Sequence, residues 1–256
     1  MEAKNDQHVQ STGGAFLTTR QLIRICALGL TSAICVGLSI RYSGDMMRLD
    51  LDIDKNIILF KKLSIVSHLF SFSSWFGCSI WISFIGGFIM FKNLPRHVFG
   101  KLQSKMFPRY FQFSLITMVL SSISWLLWTL AITKHGNRLK QSTLSEEIID
   151  VVTDNQTPVI LHFSILVCIC VNLLYFEPQT TSTMFRRHVI EKKMGTGHEI
   201  GAIRPTDPKI LEAYNEDGEL KKINRRFGVL HGMSTTINLI ALCLGVAHLF
   251  WVAGQL

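Results

Sequence analysis

A chain of 256 residues that is 48% apolar and 17% charged, with mean hydropathy +0.30, lies well below the charged fraction of about a quarter usual in soluble domains. That composition excludes an ordinary soluble globule and points to an all-α, polytopic helical membrane bundle. The net charge of +8 is then a property of membrane faces, and no nucleic-acid partner is needed to explain it.

Residues 1–19 are polar and without periodicity, and read as a mobile tail. Ile25 to Ile40 follows with 16 uncharged residues bracketed by Arg24 and Arg41. It is short for a bilayer unless those arginines snorkel, and is expected to be an extra N-terminal transmembrane helix. The 24 residues ahead of it are long for a signal-peptide n-region, and no small-x-small cleavage site follows, so retention in the mature chain is expected. Residues 41–62 carry Asp45, Asp50, Asp52 and Asp54. The glycine and closing glutamate of a calcium loop are missing, and a solvated polar loop is expected. Residues 1–62 thus form an N-terminal region ahead of a four-helix membrane domain over 63–256.

Four further runs can each cross about 30 Å of hydrocarbon: Leu63 to Phe91, Tyr110 to Ile132, Val159 to Phe176 and Phe227 to Val252. In the first, His68, Trp75, Ser79 and Gly86 fall near one line at about 100° per residue. Ser79, Ser83 and Gly87 add a ladder of small residues that lets two helices approach closely.

Between the first two runs lies LPRHVFGKLQSKMFPRYF, from Leu94 to Phe111, which with Lys92 holds five basic residues and no acid. Pro95 and Pro108 bracket twelve residues, enough for a short helix lying at the membrane interface. Pro95, Arg96, Gly100, Gln103, Lys105, Pro108 and Arg109 form the candidate cytosolic interfacial loop, a shaped hairpin that orients the chain and joins two spans. Residues 133–158 read as a loop containing the sequon at Asn155, and Pro178 is placed to open a helical extension to about Lys193, broken by Gly195 to Gly201. An amphipathic stretch from Ile210 is expected to run into the last span.

With five spans, alternate faces receive eighteen and eight Lys or Arg, against ten and eight acids. The positive-inside tendency therefore puts residues 92–109 and 177–226 on the cytosolic face, where anionic headgroups are the expected lipid partner. All six cysteines lie within predicted spans, and Cys168 and Cys170, two apart on a helix, point away from each other. They read as small apolar fillers rather than as a disulfide scaffold.

Polar groups within spans are costly and so must face other helices or a cavity. His231, Thr235, Asn238 and Gly245 share a face of the last run, while the third brings His162 and Asn172 and ends at Glu177. His68, Trp75, Asn172, Glu177, His231 and Asn238 form the candidate intramembrane site, with the histidines able to titrate or to meet a soft metal. Interhelical hydrogen bonding alone is the structural alternative. No hydrolase, zinc-protease, P-loop or dinucleotide fingerprint occurs, so neither enzymatic activity nor a cofactor is expected.

Three signatures resemble the transmembrane protein 205 family over about 185 residues from His68 onward. The first is the polar, Trp-bearing helix leading into Leu94, Pro95, Arg96, then Phe99, Gly100, Gln103, Ser104, Lys105, Phe107, Pro108, Tyr110 and Phe111. The second is Asn172 followed by Glu177, Pro178, Thr180, Thr181 and Met184; the third is His231, Gly232, Ser234 and Asn238. Ser79 stands where relatives often carry Gln. The resemblance implies four core spans in a domain of unknown biochemical function. It also implies an association with platinum-drug tolerance and with endoplasmic reticulum, secretory or plasma membranes. The expected activity is efflux, sequestration or trafficking of a small soft-metal complex or drug. The alternative is a structural or adaptor protein whose basic loops bind anionic lipid or a protein partner. Either is compatible with homo-oligomers.

Overall fold

The computed structural model describes residues 53–136, 143–201 and 208–254. The tail, the Ile25 to Ile40 segment and Asp45, Asp50 and Asp52 lie outside the described residues. The element order is α1 (Ile53–Ile80), a π-turn (Trp81–Gly86), α2 (Gly87–Asn93), α3 (Arg96–Gly136), α4 (Leu144–Asp154) and α5 (Gln156–Val171). A second π-turn (Asn172–Phe176), α6 (Glu177–Lys193), α7 (Pro208–Glu216) and α8 (Gly218–Ala253) follow.

These build four helices long and apolar enough to cross a membrane: Asn56–Asn93, Arg96–Ile132, Gln156–Lys193 and Gly218–Ala253. The described residues form an all-α bundle of four candidate spans, as lipid demands: only an element that satisfies its own backbone hydrogen bonds can cross hydrocarbon. Each runs 36 to 38 residues. At 1.5 Å per residue that is roughly 55 Å, nearly twice the hydrocarbon thickness, so all four project beyond it.

This excess length corrects several expectations. The first helix begins at Ile53, so Asp54 and Lys55 belong to it rather than to a loop; the apolar run Ile57 to Phe60 continues the helical pattern outward. Within 133–158, Thr143 and Glu146 form a capping box that starts α4, so part of that loop is an amphipathic helix. Its end at Asn155 passes directly into α5, which includes Pro158.

Pro108 does not end a separate interfacial helix: it lies inside the 41-residue α3. An internal proline costs about 3 kcal/mol by removing one donor and crowding the preceding turn. Buried packing of Tyr110 and Phe111 on one side and the docked Phe99–Gly100 turn on the other outweigh it. Finally, α7 and α8 are not one stretch. Asp217 interrupts them and caps α8 by accepting from Leu220 N at 2.7 Å.

The first and second spans pack along much of their length, and the fourth lies against the third. Phe72, Trp75, Met118, Ile165, Ile169 and Ala241 form the central core. Gly245 lets α8 approach α1: a Cβ there would lie 3.0 Å from the rings of both Trp75 and Phe76. A second cluster of Ile82, Tyr110 and Phe111 sits toward the basic end. Many large apolar side chains, Phe70, Phe163, Leu174 and Phe250 among them, are more than 60% exposed, which is the outward surface a lipid-facing bundle requires.

Candidate functional site: a polar cavity at the basic end

All but the first two residues of LPRHVFGKLQSKMFPRYF open a long helix, and the spacing of the stretch now has a physical meaning. Phe99, Gly100, Gln103, Ser104, Phe107, Tyr110 and Phe111 recur at helical intervals and line one side of a cavity of about 600 Å³. The opposing walls come from Glu177, Thr180, Thr181, Met184 and Arg187 on α6, and from Phe227, His231, Ser234, Thr235 and Asn238 on α8. Lys101, Lys105 and Arg109 are exposed on the other side of α3. The stretch thus faces two ways, one aromatic and polar, the other cationic.

Close helix approach shapes this cavity. A Cβ at Gly100 would come within 2.6 Å of the His188 ring and 2.7 Å of Met184 Sδ, so only glycine lets α3 seat against α6 here. The seat is fixed by a network around Glu191, which is fully buried. Its Oε1 lies 3.3 Å from Arg96 Nε and 3.6 Å from Arg187 Nε, and its Oε2 lies 2.9 Å from His97 Nε2. Arg96 also bonds Glu199 at 3.1 Å. The backbone closes the same joint: Arg96 N donates to Glu199 O, His97 N donates to Gly197 O, and Pro95 pairs with Ile200. Gly197 has φ +98°, and a Cβ there would collide with the His97 ring. Pro95 and Arg96 are therefore parts of a latch holding residues 197–200 across the bundle end.

Above the latch the polar residues form three hydrogen-bonded groups around the cavity. The Tyr110 hydroxyl is 2.9 Å from both Ser79 Oγ and Asn238 Oδ1. Having one proton, it donates to one of them at a time. Asn238 Nδ2 donates to Ser83 Oγ at 2.9 Å, and Ser234 Oγ donates to Asn172 Oδ1 at 2.7 Å. Glu177 is buried and accepts from Thr181 Oγ1 at 2.9 Å. Both π-turns adjoin this network, one presenting Ser83 and the other Asn172; such turns recur at functional sites because they re-aim side chains out of α-helical phase.

The structure brings Glu177, His231 and Asn238 onto one cavity, with Asn172 joined to it through Ser234. His231 is an exposed side chain whose ring stacks on Phe227, 5.7 Å between centroids. His68 and Trp75 lie elsewhere. Trp75 is 1% exposed in the core. His68 meets His162 and His248 at the other end, and His231 and His248 are separated by 17 helical residues, about 25 Å. Helical spacing identified which residues share a face of one helix; it could not show that faces on different helices stand at different depths.

Several cavity and latch residues escaped sequence reasoning, notably Arg187 and Glu191. Their signal was available in α6, where Glu191 follows Arg187 by one helical turn in an otherwise amphipathic extension. His248 was missed as well, although it and His162 both lie within seven residues of span ends that alternating topology puts on one face.

The matches to other proteins agree with this architecture. Residues 70–189 match a domain of unknown function, DUF4149. The chain is 28% identical over 194 residues to transmembrane protein 205 of Danio rerio, covering 73% of this chain and 90% of that relative. No solved structure matches it. The matched domain contains both π-turns and the α3 and α6 walls of the cavity, and over most of that relative's length the chain is similar to transmembrane protein 205.

Proposed function

We propose that this protein binds and moves a small amphiphilic solute through the membrane, in the efflux, sequestration or trafficking class, acting by binding rather than by chemical conversion. The observation that carries this reading is the cavity of about 600 Å³, large enough for a small drug and walled by aromatic groups with a few convergent polar ones. Glu177 supplies a carboxylate, Gln103 and Asn238 supply amides, and Met184 supplies a soft thioether. A cationic drug or a soft-metal complex bearing N–H groups matches that set in charge, hydrogen bonding and sulfur affinity. An endomembrane or plasma-membrane location fits such a role.

The test is uptake into proteoliposomes of a fluorescent amphiphilic cation and, separately, of a platinum ammine complex. Wild-type protein should carry at least one of them, and Glu177→Gln should slow it by about tenfold, the value of one lost charge-assisted contact. Transport equal to protein-free vesicles for both probes would remove the proposal's basis.

A second reading has its own observation. Lys101, Lys105 and Arg109 are exposed at four-residue intervals on the face of α3 away from the cavity, where anionic lipid or an acidic partner would meet them. Replacing all three by Gln should weaken association with phosphatidylserine-containing bilayers. If association is unchanged, the adaptor reading fails while the cavity reading stands.

A further inference from the structure

At the opposite end of the bundle from the cavity, three imidazoles from three helices converge. His68 on α1, His162 on α5 and His248 on α8 are 0%, 4% and 1% exposed, and one ring nitrogen of each lies within 4.8 Å of the other two. His68 Nε2 and His248 Nε2 are 3.1 Å apart, and the His162 and His248 ring centroids are 4.5 Å apart. Three nitrogens at about 2.0 Å from a common ion in trigonal geometry stand about 3.5 Å from one another, so small side-chain rotations close this triangle on a metal.

The outer contacts set the tautomers such a site needs. His162 Nδ1 lies 2.8 Å from the Pro158 carbonyl, and His68 Nδ1 lies 3.0 Å from the Ser121 carbonyl. A carbonyl only accepts, so both Nδ1 atoms carry the proton, and both Nε2 atoms present a lone pair. This is the orientation that backbone carbonyls impose on metal-bound histidine. Without an ion, His248 Nε2–H donates to His68 Nε2, and both His162 Nε2 and His248 Nδ1 are buried with no partner. Two orphaned imidazole nitrogens in one apolar pocket are unusual for a purely structural cluster.

The surroundings choose the ion. Trp125 stacks on His162 at 6.0 Å, Trp251 stacks on His248 at 5.8 Å, and Phe72 lies 4.8 Å from the His248 ring. The cluster contains neither carboxylate nor thiolate. Three neutral ligands leave the whole ionic charge uncompensated in a low-dielectric wall, and the cost of burying charge rises as its square. A singly charged ion that accepts imidazole in three-coordinate geometry is favoured over a divalent one. We propose that His68, His162 and His248 form a buried copper(I) site. On loading, the His248 proton moves from Nε2 to Nδ1, which frees the Nε2 lone pair for the ion, so loading releases no net proton.

By contrast, the cluster of His97, His188 and Glu191 already spends its carboxylate on Arg96 and Arg187 and belongs to the latch. The copper site is independent of the cavity and of what the cavity carries.

The experiment uses the full chain in nanodiscs, titrated anaerobically with copper(I) against a chromophoric chelator, with zinc(II) in a parallel arm. One copper per chain is expected, with an X-ray absorption shell of imidazole nitrogen at about 2 Å and no sulfur neighbour. His162→Gln and His248→Gln should each weaken binding by at least about tenfold. A variant with all six cysteines replaced by Ser should bind copper as the wild type does. A sulfur shell, tighter binding of zinc than of copper, or no retained metal would each overturn the proposal. The absorption spectrum of the unsubstituted protein decides the question even if the histidine variants fold poorly.

Discussion

Tyr110 and Asn238, 128 residues apart in the chain, meet at 2.9 Å and join the second and fourth spans through their side chains. With Ser79 and Ser83 they tie three spans together beside the cavity. The carboxamide satisfies both of its ends here, accepting from Tyr110 and donating to Ser83.

Asn238→Leu should therefore cost more than a surface change. Interhelical hydrogen bonds in membranes average about 0.6 kcal/mol and reach about 1.7. Two are lost at once, and about 1 to 3 kcal/mol is expected in reversible unfolding from detergent micelles. Tyr110→Phe removes only one donor and should fall near the lower end; equal effects would mean that the contacts to Ser83 contribute nothing.

The latch predicts a larger loss. Glu191→Gln leaves Arg96 and Arg187 facing each other without their shared carboxylate, and breaking a buried pair from one side costs about 3 to 5 kcal/mol. Limited proteolysis should show new cleavage within residues 194–201, because Arg96 and His97 no longer hold that segment. Unaltered digestion would show that the backbone bonds alone secure it.

Gly100 and Gly197 separate two kinds of steric demand. Gly100→Ala places a methyl against the His188 ring and Met184, and overpacking of this kind costs about 1 to 3 kcal/mol. Gly197→Ala suffers both the His97 collision and a left-handed backbone, φ +98°, adding of order 1 kcal/mol or more. Thermal denaturation of the two single variants should rank Gly197→Ala as the more damaging.

Sidedness can be read from single cysteines introduced into a cysteine-free chain. Lys105 and Lys192 lie toward the latch end and Ser145 toward the opposite end, and all three are exposed. An impermeant thiol reagent added outside intact cells should label Ser145→Cys but neither Lys105→Cys nor Lys192→Cys if the basic end is cytosolic. The reverse pattern would invert the topology drawn from charge.

What the amino-acid order determined by itself was the class of the molecule and the rough place of each span. Runs of apolar residues have one stable outcome in hydrocarbon, because a lipid-facing backbone must bond to itself, and that constraint is local. The helical phase of His68 with Trp75 and Ser79, all buried, was legible for the same reason, as was the extension from Pro178 to Lys193. The tertiary structure decided which polar faces meet. His68 was grouped with His231, but its partners are His162 and His248, since residues on different helices gather only at equal depth. Likewise the missing donor of Pro108 by itself predicts a helix boundary, whereas packing across α6 and the latch carries the helix through it. The spacing of Phe99, Gly100, Gln103 and Phe107 was visible from the start, but its reason, a cavity wall on one side of a helix whose other side is basic, exists only once α6 and α8 are in place.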